Sequence, residues 1–377
     1  MRLRPALATG LLLLGSVVAC RPHAAAPVEA TAGAEYVDAA TRDAALASAR
    51  VWQPPAVPVP DANLARNPEI PKGFSDDDEI LCRFTPREVG GTTPKFYCEL
   101  PDGTALKIKY GSNNPELYAE VAASRLLSAL GFYADTMLVV SRVRCAGCPR
   151  FPFQALRCYD RIGLHAACFP GGLDFDRIGA FAAAVVEQKL EGRTIEAFDA
   201  QGWAWYELDR IDPALGGSTR VEVDAFRLMA VFLAHWDNKA ANQRLICPGG
   251  RDAPDGGCAH PVAIMQDLGA TFGPLKIDLH HWRTGRIWKD AATCTVSMEH
   301  FPWQGATFPE RRITEAGRLM LLGLLEQLTD LQLRQLFEGS RVVAFDQFMA
   351  EGRGAQAWVT AFTDRVDQIR TAGPCPS

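Results

Sequence analysis

Between residues 115 and 132 apolar side chains recur three and four apart, in PELYAEVAASRLLSALGF, the spacing of a helix that buries one face. Asn114 is placed to cap it, Pro115 takes its first position and Gly131 stops it. Shorter runs rich in β-branched and aromatic residues precede it. ILCRF and KFYCEL flank a turn containing Gly90 and Gly91, and TALKIKY follows PDG. TMLVVSRVRC and AAVVEQKL predict further strands, joined by a Cys-rich connection. Helical periodicity returns in DAFRLMAVFLAHW, EAGRLMLLGLLEQL, LQLRQLFEG and a last helix near residues 355–371, interrupted by the short strands QRLIC and AIMQDL. A strand-rich first half joined to a helical second half predicts an α+β fold in two lobes, residues 73–190 and 191–377.

Two segments before residue 73 carry no fold-forming pattern. MRLRP followed by ALATGLLLLGSVVAC is a basic start, a short apolar run and small residues before Cys20, the order of a secretion signal. Residues 1–19 resemble a lipoprotein signal, with Cys20 the lipid-bearing residue; a simple anchor helix or conventional cleavage is the alternative. Arg21 in the next position favours, by the same resemblance, the outer membrane. Residues 20–72 are rich in Ala and Pro and predict a tether, with a marginal helix around residues 36–51. Removing the signal removes Arg2 and Arg4 and no acid, so the formal net charge moves from -5 to -7. A mildly acidic chain without a basic stripe has no general attraction for nucleic acid.

The chemistry concentrates in HWDNKAAN, residues 235–242, at the end of an apolar helix, and in DLG, residues 267–269, at the end of the next apolar strand. Such a set suits a metal-nucleotide site, in which Asp237 would accept a proton from an acceptor hydroxyl and Lys239 would balance charge on a transferred phosphate. Asn242 and Asp267 would offer oxygens to Mg²⁺ or Mn²⁺, and Gly269 would let the chain turn away. Taken singly, Asp237 and Asn242 are ordinary turn residues; their combination is not. Upstream, KIKYG puts Lys107 and Lys109 on one face of a strand. Glu120 falls within the apolar arc of the following helix, where a carboxylate needs a partner. Lys109 is the expected partner; a rim carboxylate with two solvated lysines is the alternative.

This set resembles the protein-kinase-like superfamily in its atypical branches. Lys-x-Gly before a Glu-bearing helix that ends in Leu-Gly is similar to phosphoinositide and HipA-type kinases, and an exported, Cys-rich version is similar to secretory-pathway kinases. The resemblance implies a small β-rich N-lobe, a mainly helical C-lobe, ATP with Mg²⁺ or Mn²⁺ between them, and a hinge at residues 187–191. It departs from the pattern in lacking G-x-G-x-x-G; VGGTTPK, with Gly91 and Thr92 or Thr93, is the candidate loop over the phosphates, or an ordinary hairpin turn. No A-P-E segment follows DLG. A phosphotransferase with an unassigned acceptor is implied; a non-catalytic binding module and a nucleotidyl transferase using the same cleft are the alternatives.

Ten cysteines remain beside Cys20, an even number that suits disulfides in an exported chain. Cys82 with Cys98 and Cys247 with Cys258 are the expected pairs. Cys145, Cys148, Cys158 and Cys168 read as disulfides first, with zinc or redox work as alternatives. His280, His281 and His300 lack a ligand spacing, and Trp282, Trp288 and Trp303 read as packing before they read as an acceptor floor.

Overall fold

The computed structural model describes residues 36–67, 75–163, 165–249, 257–274, 276–301, 305–348 and 354–376. The predicted signal, Cys20 and the first part of the predicted tether lie outside them. Residues 36–67 correct the tether reading. α1 (Ala39–Ala47) is capped by Asp38, which accepts from the Thr41 N–H. Leu46, Ala49, Val51 and Leu64 are wholly buried in the largest core. The segment's apolar residues follow no sustained period, and its backbone adds contacts that no such pattern announces. The Arg50 N–H donates to Pro261 O, the Gln53 N–H to Gly131 O, and Gln332 Nε2 donates to both Val59 O and Ala62 O. It staples elements far apart in sequence.

The strand-rich first half is a closed barrel. β1 (Glu79–Thr85), β2 (Lys95–Glu99) and β3 (Ala105–Tyr110) form a meander. α2 (Pro115–Ala129) then leads to β4 (Thr136–Ala146); α3 (Pro152–Ile162) and α4 (His165–Cys168) precede β5 (Ile178–Gln188). The strand order is β1-β2-β3-β5-β4, closed by parallel pairing of β4 with β1 from Glu79↔Arg142 to Arg83↔Ala146. Closure removes the exposed edges an open sheet would carry. The period of two divides these strands between two cores. Leu106, Ile108, Leu138, Val140, Ala184 and Val186 fill the barrel, while Met137, Val139 and Val185 face the other way, into the core shared with α2. Lys107, Lys109 and Glu187 lie on that outer face.

The remainder is mainly helical. β6 (Gly192–Thr194) pairs with β7 (Gln243–Pro248), which pairs with β8 (Val262–Met265), after α5 (Arg220–Leu233) has run through the core. Next come α6 (Leu279–Thr284), a small sheet of β9 (Trp288–Asp290), β10 (Thr295–Val296) and β11 (Arg311–Arg312), then α7 (Glu315–Leu325), α8 (Asp330–Gly339) and α9 (Ala355–Thr371). No described helix is long and apolar enough to cross a membrane.

Both expected disulfides are present, Cys82–Cys98 across β1 and β2 and Cys247–Cys258 beyond β7. Cys145–Cys148, Cys158–Cys168 and Cys294–Cys375 complete the set. Thiolate zinc ligation by these cysteines is thereby set aside. Because Leu46 is buried in the core rather than held on a leash, Leu46→Ala should cost about 2–5 kcal/mol in urea unfolding with disulfides intact. A change near zero would return the segment to a tether.

Candidate active site

α2 places the first acidic group. Asn114 caps it by accepting from the Glu116 N–H, and Gly131, in the left-handed region, ends it where a Cβ would meet Gln53 O at 2.1 Å. The helix is buried almost all round, so Glu120 is only 3% exposed. Its Oε1 lies 2.5 Å from Lys109 Nζ. The expected pair is formed. Glu187, at the end of β5, adds a carboxylate 3.0 Å from Lys109 and 3.2 Å from Lys107, and Asp267 stands 3.8 Å from Lys109. Glu187 therefore belongs to the charge cluster, not to a hinge; it sits inside β5, opposite Lys107.

Burial alone would lower the Lys109 amine, but Glu120, Glu187 and Asp267 hold it well above its usual range. Burial opposes ionisation of Glu187 too, and Lys107, Lys109 and Lys189 overcome it, keeping that carboxyl well below the usual range. Glu120 is the strained member. Burial pushes it up to about 8 against the pull of Lys109, with Asp267 and Glu187 adding to the effect. A third lysine, Lys95, is buried opposite Lys109 in the β2–β3 register, and a Cβ on Gly91 would lie 3.4 Å from its Nζ.

The second half of the site hangs from the end of α5. Ala234 adopts the left-handed conformation there, and the His235 N–H returns to Ala230 O. Asn238 fixes the next loop: its Nδ2 donates to His235 O, and its Oδ1 accepts from the Thr307 and Phe308 N–H groups. Lys239 Nζ lies 3.3 Å from both Asp237 oxygens. Asn242 Nδ2 donates to Asp237 O at 2.8 Å, and the Gln266 N–H donates to Asn242 O. The Asp237 carboxyl is raised, chiefly by burial against the pull of Lys239. Burial would raise Asp267 as well, but Lys109, Lys95 and Lys107 bring it down to about 2; it stays ionised, with about half its side chain exposed.

Asp267, not Gly269, makes the turn: its φ is +55°, whereas Gly269 has no left-handed backbone. Gly269 is needed for a different reason, since a Cβ there would press on Glu116 Cβ at 3.0 Å. Glu116 in turn accepts from Thr93 Oγ1 and pairs with Lys276 at 3.2 Å.

A cavity of about 740 Å³ opens between these parts, lined at one end by Gly91, Lys95, Lys109, Asn242 and Asp267. Asp237 stands behind Lys239, which lines the cavity. Thr92 is exposed and is not among the lining residues. The glycine turn is held by α3, where Arg157 donates to Gly91 O and Asp160 accepts from the Val89 N–H, and both side chains also line the cavity. Among the described residues no three His, Cys, Asp or Glu side chains gather as a metal cage. His281 pairs with Asp278, with the His280 ring edge-on beside it, and Trp282 and Trp288 are buried packing residues. Trp303 lies outside the described residues.

Glu187, Lys95 and Asn238 were missed by sequence reasoning. Glu187 and Lys95 carry a signal only once the strand register puts them beside Lys109. Asn238 is inside the motif but acts through its backbone partners at residues 307–308. No known family model and no curated protein matches the chain. Among solved structures, the Helicobacter pylori proinflammatory kinase CtkA aligns with 79% of this chain and 96% of its own length, at 12% identity and a TM-score of 0.42, a likeness too distant to carry activity across.

These charges are open to two measurements. Lys109→Met should cost about 3–5 kcal/mol, since it strands buried carboxylates, and the double change Lys109→Met/Glu120→Gln should recover part of that loss in the same unfolding assay. Full additivity of the two changes would refute the pair. His235 is wholly buried, and burial lowers it to about 4 from 6.5. As pH falls below 6.5 the unfolded chain takes up the proton first, so stability held above pH 6.5 is lost progressively down to pH 4, by on the order of 3 kcal/mol. His235→Gln should flatten that part of the stability–pH curve. An unchanged slope would place the acid sensitivity elsewhere.

Proposed function

We propose that the chain is a metal- and nucleoside-triphosphate-dependent phosphotransferase, with ATP the expected donor, working in a two-lobed protein-kinase-like arrangement. The observation that carries this reading is convergence. Lys109 with Glu120, from the barrel and α2, meets Asn242 and Asp267, from the loops after α5 and β8, around one cavity. A scaffold has no physical need to desolvate so many charges in one place.

Lys109, with Lys107 and Lys95 beside it, would hold the phosphates. The donor set fits a hard cation: Asp267 is ionised and accessible, and Asn242, its Nδ2 turned back to Asp237 O, keeps Oδ1 for the cavity side. Such an ion would supply charge neutralisation of the phosphate oxygens. In the transfer the acceptor oxygen bonds the terminal phosphorus, the bond from that phosphorus to the bridging oxygen breaks, and a nucleoside diphosphate leaves. Asp237 takes the acceptor's proton, and burial, which raises its carboxyl, makes it a stronger base. Lys239 would balance charge at the transferred group. The disulfides support export to an oxidising compartment; anchoring through Cys20 at the outer membrane belongs to the same proposal.

The test is the melting temperature of the full chain in detergent, disulfides intact, with Mg²⁺ or Mn²⁺ and nucleotide. Ligand at 100 times its Kd should add about 2.7 kcal/mol of apparent stability, only with metal present, and Asp267→Asn should abolish most of it. Asp237→Asn should keep the shift while lowering γ-phosphate transfer by about 10²–10⁴-fold. Transfer of the α-phosphate instead would indicate a nucleotidyl transferase, binding without transfer a binding module, and no shift at all would remove the nucleotide.

A further inference from the structure

Beyond Glu187 the cavity continues to a second polar end that the phosphate chemistry does not use, lined by Asp135, Lys189 and Arg244 between Met137 and Met265. The barrel register sets its distance from Lys109. Lys109 is level with Val185, which pairs with Val139; the backbone of Asp135 comes four residues before Val139, about 13 Å away, and the Lys107–Glu187–Met137 level lies between them. That separation suits a nucleoside laid between its phosphates and the far edge of its base.

The groups at this end are buried and incompletely paired. Asp135 is 6% exposed; its Oδ1 accepts from the Leu190 N–H at 2.8 Å, and among the described residues its shielded Oδ2 has no donor. Arg244, also 6% exposed, donates from Nη2 to Thr194 Oγ1 at 2.7 Å. Its Nη1 lies 3.6 Å from Asp135 Oδ1, and neither Nη1 nor Nε has an acceptor at hydrogen-bond distance among the described residues. Burial raises the Asp135 carboxyl against the pull of Arg244, so added N–H donors are the contact that group lacks. The Leu190 N–H, a backbone donor on the segment after β5, is already occupied by Asp135.

We propose that Asp135 and Arg244 read the nucleobase, and that together they select guanine over adenine, which makes the donor GTP in place of the ATP that the sequence resemblance implied. The inference rests on the nucleotide reading above. Guanine presents N1–H and N2–H₂ donors side by side, next to the O6 and N7 acceptors. The carboxylate accepts from the first pair, and Arg244, with Lys189 beside it, donates to O6. Adenine offers one donor, N6–H₂, and brings the N1 lone pair toward the carboxylate. It would leave buried polar atoms unpaired, the condition under which a hydrogen-bonding site discriminates strongly. Met137 and Met265 supply apolar walls for either ring and do not discriminate.

The test uses the full chain in detergent with Mg²⁺, measuring Kd for GTP, ATP and XTP by calorimetry, on wild type and Asp135→Asn. Wild type should bind GTP tighter than ATP by about tenfold or more. Asp135→Asn should lose GTP and gain XTP, because xanthine carries a carbonyl oxygen where guanine carries the 2-amino group and the new amide donates to it. A misfolded variant cannot show that gain. Equal or tighter binding of ATP by wild type overturns guanine selection and leaves the nucleotide site standing. A variant that melts like wild type but gains no XTP overturns the role of Asp135. Failure of every nucleotide to bind would remove this inference together with the reading beneath it.

Discussion

The ammonium of Lys109 sits in a place from which water has been nearly removed, and the rest of the molecule is arranged around that fact. A cation so placed needs close negative partners, and here carboxylates reach it. Those carboxylates come from three directions: Glu120 from α2, Glu187 from the barrel itself, and Asp267 from the turn after β8. Satisfying one charge thus brings together a strand, the helix that follows it and a loop more than a hundred residues further along the chain. Glu116, one turn before Glu120, extends the same junction by joining Thr93 and Lys276. The ionic cluster is a poor source of net stability, because desolvation offsets much of the attraction. What it contributes is geometry.

The loop bearing Asp237 depends on a different device, the spent end of α5. Arg365, wholly buried in α9, donates to Val231 O and Phe232 O in the last turn of α5, and to Trp282 O and Gly285 O. Carbonyls at a helix C-terminus lack intrahelical partners and carry the negative end of the dipole. A buried guanidinium is therefore held there without any carboxylate, and burial lowers it to about 9. Arg365 fixes where α5 ends, and Asn238 fixes the course of the loop that carries Asp237 away from it.

Much of this was legible in the sequence because it was local. The caps of α2, the alternation along β3, the two cysteine pairs that bracket short loops and the exposed-versus-buried problem posed by Glu120 all arise from neighbouring residues. What escaped depended on pairing between distant strands. Nothing near Lys95 or Glu187 says that they share a level with Lys109; the register says it. The Cys-rich connection concealed α3 (Pro152–Ile162), which carries a helical pattern of its own, because the four cysteines in and around it pointed to disulfides or a metal instead. Residues 36–67 read as a leash for a different reason: their contribution is made through backbone groups to Gly131, Pro261 and Gln332, and backbone hydrogen bonds leave no mark in hydrophobic periodicity. Gly269 shows the converse, a motif position correctly singled out for the wrong cause. It yields space to α2 while the turn is made two residues earlier.

That displacement of the turn onto Asp267 narrows what can stand there. At φ +55° a β-branched or bulky residue would be strained, whereas Gly is unstrained and Asn or Asp is tolerated through local hydrogen bonding. Over evolutionary time the backbone filters substitutions before the chemistry does. A descendant freed from any demand for charge would keep a short list of residues at this position, with Asn and Gly foremost, and would go on folding. The shape of the site is therefore built to outlast the charge it carries, and the side chain at this position in such a lineage would record which of the two had been under selection.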